Sequence, residues 1–269
     1  MAAWIRRHPL GAFLAFFFTV GWAPAFLTYR LETAFPPQVF ILATTWLGLL
    51  AAVLLTRLAD GPAAVRALAR RTVAVRASPG WYAFALLAPV AVALPLAWLL
   101  AGPPAAAGTL LSAVGAGLLL QTAVGLLANN LWEEVTWMGF VQARLQARHG
   151  AARAVLLTAP LFLLQHLALQ EGSAGEIAVF LLLGTAVLLP FRALMAWVYN
   201  RTGSLFLVGL LHAASNAAAG GAGFGPGLLP RLYPGQGTES LHVLAMAALG
   251  LAVLALTRGR LGAAPRPTP

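Results

Sequence analysis

The sequence predicts an all-α integral membrane protein, a bundle of about eight transmembrane helices with both termini in the cytoplasm. Three observations carry that expectation. Of the 269 residues, 60% are apolar and only 9% are charged, against about 45–50% and about 25% in an average soluble chain. Apolar runs recur at close to the roughly 20 residues that cross a bilayer as a helix. All 17 basic residues are arginine, and they cluster between those runs. With a mean hydropathy of +0.83, so few charges cannot cover a water-facing surface. That excludes a dinucleotide-binding α/β enzyme or any large domain outside the membrane. With no cysteine in the chain, a disulfide scaffold, a thiolate metal site and a cysteine nucleophile are excluded as well.

Taken in order, the apolar runs cover residues 10–29, 37–57, 81–101, 108–132, 154–170, 177–199, 204–220 and 240–257. The first follows Arg6 and Arg7 and resembles a signal peptide. It is long for one, lacks a clear small-x-small cleavage site and is followed by further spans, so it reads as the first helix. Turn-forming stretches separate the others, among them Phe35-Pro36-Pro37, Ala101 through Pro104, and Gly220 through Pro234. No internal repeat is evident. The chain reads as one polytopic domain over 1–269, with its chemistry concentrated in 130–220. Its Pro-rich end, 259–269, is expected to be a disordered tail.

Alternating eight spans from a cytoplasmic N-terminus sorts the arginines. Arg6, Arg7, Arg57, Arg66, Arg70, Arg71, Arg76, Arg144, Arg148, Arg153, Arg201, Arg258, Arg260 and Arg266 fall inside, and Arg30 and Arg231 outside with Glu32, Glu171, Glu176 and Glu239. Retention of arginine on the cytoplasmic side sets this orientation. The charge of +10 therefore marks topology, and nucleic acid is not an expected partner. Segment 62–76 is either an amphipathic helix on the anionic inner surface or a plain basic loop.

Ionisable groups inside a span are costly and need a reason. Five remain: Glu133, Glu134, His166, Arg192 and His212, with Asn129, Asn130 and Asn216 as neutral companions. At ~1.5 Å of rise per residue, Glu134, His166, Arg192 and His212 all come about 14–20 Å above the nearest inner arginine. Four helices thus bring their ionisable groups to one level. His212 and Asn216 share a helix face, as do Phe162 and His166. A lone intramembrane histidine is often a hydrogen-bonded packing residue, but this convergence is hard to explain by packing. Trp132 and Trp137 flank the glutamates and are expected to wall the cavity.

Such a set suits hydrolysis. A carboxylate beside an imidazole can orient a water and take its proton, and a second imidazole with a carboxamide can receive the oxyanion of a tetrahedral intermediate. No cofactor is required, because water is the nucleophile. The alternative is zinc, held by a glutamate and two histidines with one open position, although the His-Glu-x-x-His signature is absent.

Trp132-Glu133-Glu134-Val135-Thr136-Trp137-Met138-Gly139-Phe140, then Phe162-Leu163-Leu164-Gln165-His166, then His212-Ala213-Ala214-Ser215-Asn216 resemble the three motifs of the CPBP family. These are the CAAX protease and bacteriocin-processing intramembrane peptidases, also called the abortive-infection family. Tyr199 through Leu205, leading into His212, is similar to the family as well. The resemblance implies that Glu133 and His166 activate water, that His212 and Asn216 form the oxyanion hole, and that Glu134 is structural. It implies a metal-free glutamic mechanism. One departure stands out: the family pattern Glu-Glu-x-x-x-Arg has Met138 where its arginine belongs, so Glu134 lacks an i+4 partner. Arg192, at the same depth, is either its replacement from another helix or a residue that snorkels to the inner interface.

The leading expectation is an intramembrane endopeptidase in a bacterial inner membrane. It would cut a membrane-associated or lipid-modified protein or peptide near the cytoplasmic side. A second reading is a catalytically impaired member serving as a membrane scaffold or bacteriocin-immunity protein, for which Met138 is the main support. A transporter using a proton relay is the third, but it predicts inverted repeats, and the polar residues crowd into one half.

Overall fold

A computed structural model describes residues 2–31, 36–104, 109–220 and 225–263. Glu32, with 33–35, and the tail from 264 onward lie outside the described residues. The rest is helical, and no strand occurs among the described residues. Among the described residues, five helices are long and apolar enough to cross a membrane: α2 (Pro37–Asp60), α4 (Pro79–Ala101), α5 (Leu110–His149), α6 (Ala151–Leu169) and α7 (Ala174–Thr202). Three shorter apolar helices, α1 (Pro9–Trp22), α8 (Leu205–Ala218) and α9 (Leu241–Leu256), complete the bundle. Each of the eight apolar runs becomes one of these helices. Segment 62–76 is largely the surface helix α3 (Pro62–Thr72), with Arg70 and Arg71 in its last turn.

Local chemistry sets the boundaries. Proline opens α2, α3 and α4 at the first helical position, where its missing N–H costs nothing. Ser173 caps α7 in a capping box with Glu176, satisfying two orphan donors reciprocally. Gly150, at φ 85°, makes the single-residue turn from α5 into α6, a conformation in which a Cβ would clash.

The sequence places the end of one span near 132, where the charges begin. The structure instead carries α5 on for 40 residues, past both glutamates to His149. It widens to π-type turns at Ala113–Leu120, Leu126–Asn130 and Val135–Gln142, leaving Glu133 and Glu134 on a short α-helical turn between two of them. Such widenings recur at functional positions in membrane and soluble helices.

Around α5 lie α1, α2, α6, α7 and α8. One buried cluster joins α5 to α7 and α8 through Val135, Met138, Leu194, Met195, Leu207 and Leu211. A second joins it to α1 and α2 through Phe13, Phe17, Ala51, Ala52, Trp137 and Phe140. The outer faces stay apolar: Trp46, Leu50, Leu54 and Leu58 form an exposed i, i+4 stripe on α2. A patch of that kind suits hydrocarbon and not water.

The arginines gather at one end. Arg144 pairs with Asp60, Arg71 donates to Tyr199 Oη at 2.9 Å, and Arg71, Arg153, Arg258 and Arg260 border one cleft of about 760 Å³. The expected disordered tail begins in ordered chain. Leu261 is fully buried, and its carbonyl accepts from Asn200 Nδ2 at 2.9 Å.

Candidate active site

The midpoint of α5 meets α8 closely because residue 209 has no side chain. A Cβ at Gly209 would lie 2.9 Å from Leu131 Cα. This approach, one helical turn before His212, carries His212 against both glutamates. Its Nδ1 lies 2.9 Å from Glu134 Oε1 and 3.8 Å from Glu133 Oε2.

The two glutamates have different surroundings. Glu134, fully buried, receives Arg192 Nη1 at 2.8 Å and 2.9 Å on its two oxygens. Arg192 is itself buried, with its guanidinium 4.7 Å from the centre of the Phe162 ring, an arrangement in which the ring face attracts the cation. Of the two readings of Arg192, the structure therefore shows the ion pair and not snorkelling. Met138 sits fully buried in the apolar cluster, so the cation reaches Glu134 from α7 and not from its own helix.

Glu133 instead faces a cavity of about 390 Å³, together with Thr44, Thr45, Asn129, Gln165, His166, His212 and Asn216. Its Oε1 accepts from Gln165 Nε2 at 2.5 Å. Gln165 is fixed in turn by Trp137, whose Nε1 donates to Oε1 at 2.9 Å, and Trp22 Nε1 donates to the Gln165 carbonyl at 2.8 Å. Thr45 Oγ1 donates to Asn129 Oδ1 at 2.5 Å, one helical turn before Glu133. His166 begins the tighter last turn of α6, where its Nδ1 lies 3.0 Å from the Phe162 carbonyl. A carbonyl only accepts, so Nδ1 carries the proton and Nε2 is left as an acceptor.

The structure thus gathers Glu133, His166, His212 and Asn216 around one cavity and puts Glu134 with Arg192 directly behind it. Sequence reasoning missed Gln165 and Thr45; the signal was a neutral polar side chain inside a span. The tryptophans do not wall this cavity. Trp137 is buried behind Gln165, and Trp132 borders a separate apolar pocket with Leu49, Val65 and Phe206. The cavity extends from Glu133 towards Pro37, Ile41 and Leu169, away from the end of the bundle where Arg144 meets Asp60. Counting depth fixed a level in the membrane but carried no information on which way that level opens.

Among the described residues no three His, Cys, Asp or Glu side chains are arranged to hold a metal ion.

A multi-pass helical membrane protein with a polar cavity at mid-depth is the class that fold and site define. The family described as "Type II CAAX prenyl endopeptidase Rce1-like" matches residues 115–218, which include all six residues just described. This stretch is similar to that family, and the match supports the CPBP, or CAAX protease, family, a family of proteases. No curated protein and no solved structure matches the chain.

Proposed function

We propose that the protein is an intramembrane endopeptidase of glutamic type. The observation that carries this reading is Glu133 on the floor of a cavity that also presents His166, His212 and Asn216. Water held by Glu133 and His166 Nε2 attacks the scissile carbonyl carbon and gives its proton to the carboxylate. The carbonyl electron pair moves onto oxygen, which His212 and the Asn216 amide receive. Because His212 Nδ1 donates to Glu134 Oε1, the ring meets the oxyanion through Nε2, and it donates there as the doubly protonated imidazolium that the Glu134 carboxylate offsets. Collapse of the intermediate breaks the C–N bond, and the leaving amine takes the proton back. The substrate is a membrane-associated protein or peptide, and the setting is a bacterial cell membrane.

The impaired-member reading drew its support from Met138. Arg192 removes that support, since Glu134 has its cation. The test is to compare membranes containing the wild type with membranes containing Glu133→Gln at matched abundance, reading new protein termini by mass spectrometry. Termini specific to the wild type are the expected result; identical termini would sink the proposal.

A further inference from the structure

We infer that Gln165 is a positioning residue for both Glu133 and His166, and that it leaves Oε2 of Glu133, not Oε1, to take the proton from water. The role in catalysis rests on the peptidase reading above; the direction of the hydrogen bonds through Gln165 does not.

That direction follows from what each partner can do. Trp137 Nε1 lies 2.9 Å from Gln165 Oε1, and Gln165 Nε2 lies 2.5 Å from Glu133 Oε1. An indole N–H only donates and a carboxylate only accepts, so the amide between them has one orientation. Turned over, it would set N–H against N–H at Trp137 and oxygen against oxygen at Glu133. The indole is not free to turn with it. Trp137 is fully buried. The rings of Phe13, Phe17 and Phe162 stand close to perpendicular to it, with centroids 6.2, 5.7 and 5.6 Å away. Trp137 follows Glu133 by one turn of α5, so one side chain from α6 bridges the two.

The main chain of Gln165 is fixed as well. Its carbonyl, where α6 passes into its tighter last turn at His166, accepts from Trp22 Nε1 of α1 at 2.8 Å. Indoles from two helices therefore hold residue 165. Its side chain sets Glu133, and its backbone sets the start of the turn that carries His166.

With Oε1 engaged, the chemistry falls to Oε2, which lies 3.8 Å from His212 Nδ1. Water between Oε2 and His166 Nε2 gives its proton to Oε2 as its oxygen bonds to the scissile carbon. Oε2 then returns that proton to the leaving amine. A carboxylate held at one oxygen cannot swing, so the other keeps its aim on the water.

Infrared spectra of the full chain in lipid vesicles, isotope-labelled at the glutamate carboxyls, test the hydrogen bonds directly. Subtracting the matching Glu133→Gln protein isolates the Glu133 carboxylate band. Gln165→Met keeps the length and removes both polar atoms, whereas Trp137→Phe removes only the donor that directs the amide. Both are expected to shift the band, Trp137→Phe by less, and Trp137→Phe should add nothing on top of Gln165→Met. An unmoved band in folded Gln165→Met protein would overturn the inference, as would equal Trp137→Phe shifts with and without Gln165→Met. Glu133-dependent termini supply the second arm. Gln165→Met should lower their yield about 10–100-fold, the weight of one hydrogen bond to a charged group. Gln165→His, whose neutral ring keeps one acceptor and one donor, should recover part of that loss. Recovery no better than with Gln165→Met would mean that residue 165 only fills space, and the positioning role would fall. A wild type without such termini sinks the peptidase reading instead, and the infrared arm then decides the hydrogen bonds alone.

Discussion

Two faces of one helix, one residue apart, hold the same side chain in opposite settings. On one face of α5, Glu133 is held by an amide and opens onto a cavity; on the other, Glu134 is sealed into the core against Arg192. The contrast teaches how a membrane interior accommodates two adjacent carboxylates. One is neutralised by a buried cation and serves as scaffold. The other has no arginine beside it and remains available to react. His212 touches the scaffold carboxylate and lines the reactive cavity, so it is the mechanical link between the two.

The largest expected effect comes from the open face. Glu133→Gln retains shape and removes the base, and cleavage should fall about 10²–10⁴-fold with thermal stability in detergent nearly unchanged. A large loss of stability would show that both glutamates are structural, and the contrast would fail. On the closed face the pattern should invert. Arg192→Leu leaves Glu134 buried without its cation, with only His212 Nδ1 still against it, which costs about 3–5 kcal/mol. Combining it with Glu134→Leu should restore most of that stability, because an apolar pair avoids desolvating charge, but not the activity, because His212 loses its anchor. Unfolding midpoints of the two variants, with terminus counts, check both statements. The combination Met138→Arg with Arg192→Leu asks whether the cation's helix of origin matters; rescue relative to Arg192→Leu is the expected outcome.

The link between the faces should respond to Gly209→Ala. The added methyl meets Leu131 Cα at 2.9 Å, and overpacking of this kind costs about 1–3 kcal/mol. It also shifts His212 away from the glutamates, so activity should fall further than stability alone explains. Equal losses in the two readouts would mean that the α5–α8 approach only supports packing.

Much of this was legible in the sequence, for a physical reason. Lipid forces spans to be long and apolar and makes each buried charge conspicuous, so Glu133, Glu134, His166, Arg192 and His212 stood out without any fold. Depth counting could bring Arg192 to the level of Glu134, since rise per residue is nearly constant. Azimuth was harder. Neighbours in sequence are about 100° apart around an α-helix, and the π-type turns of α5 displace that spacing. Trp132 and Trp137 therefore flank the glutamates in sequence yet face two other surroundings. Gln165 was passed over because a neutral amide beside a histidine draws no attention. Its role exists only in the chain of donors running from Trp137 through Gln165 to Glu133. The direction of the cavity was illegible as well, since it depends on which helix ends diverge.

The smallest effect probes the wall that α2 lends to the open face. Thr45 Oγ1 donates to Asn129 Oδ1, which fixes an amide one turn before Glu133. Thr45→Val keeps the shape and deletes the donor, at a cost of about 0.5–1.5 kcal/mol for a buried neutral hydrogen bond. If Asn129 helps hold the floor of the cavity, cleavage should drop by a factor of a few, and Asn129→Ala should add little to Thr45→Val in a double-mutant cycle, since the two residues act through one contact. Fully additive losses would mean that Asn129 meets substrate or water independently, and the floor would then contain one more reactive-side residue than the contrast between Glu133 and Glu134 implies.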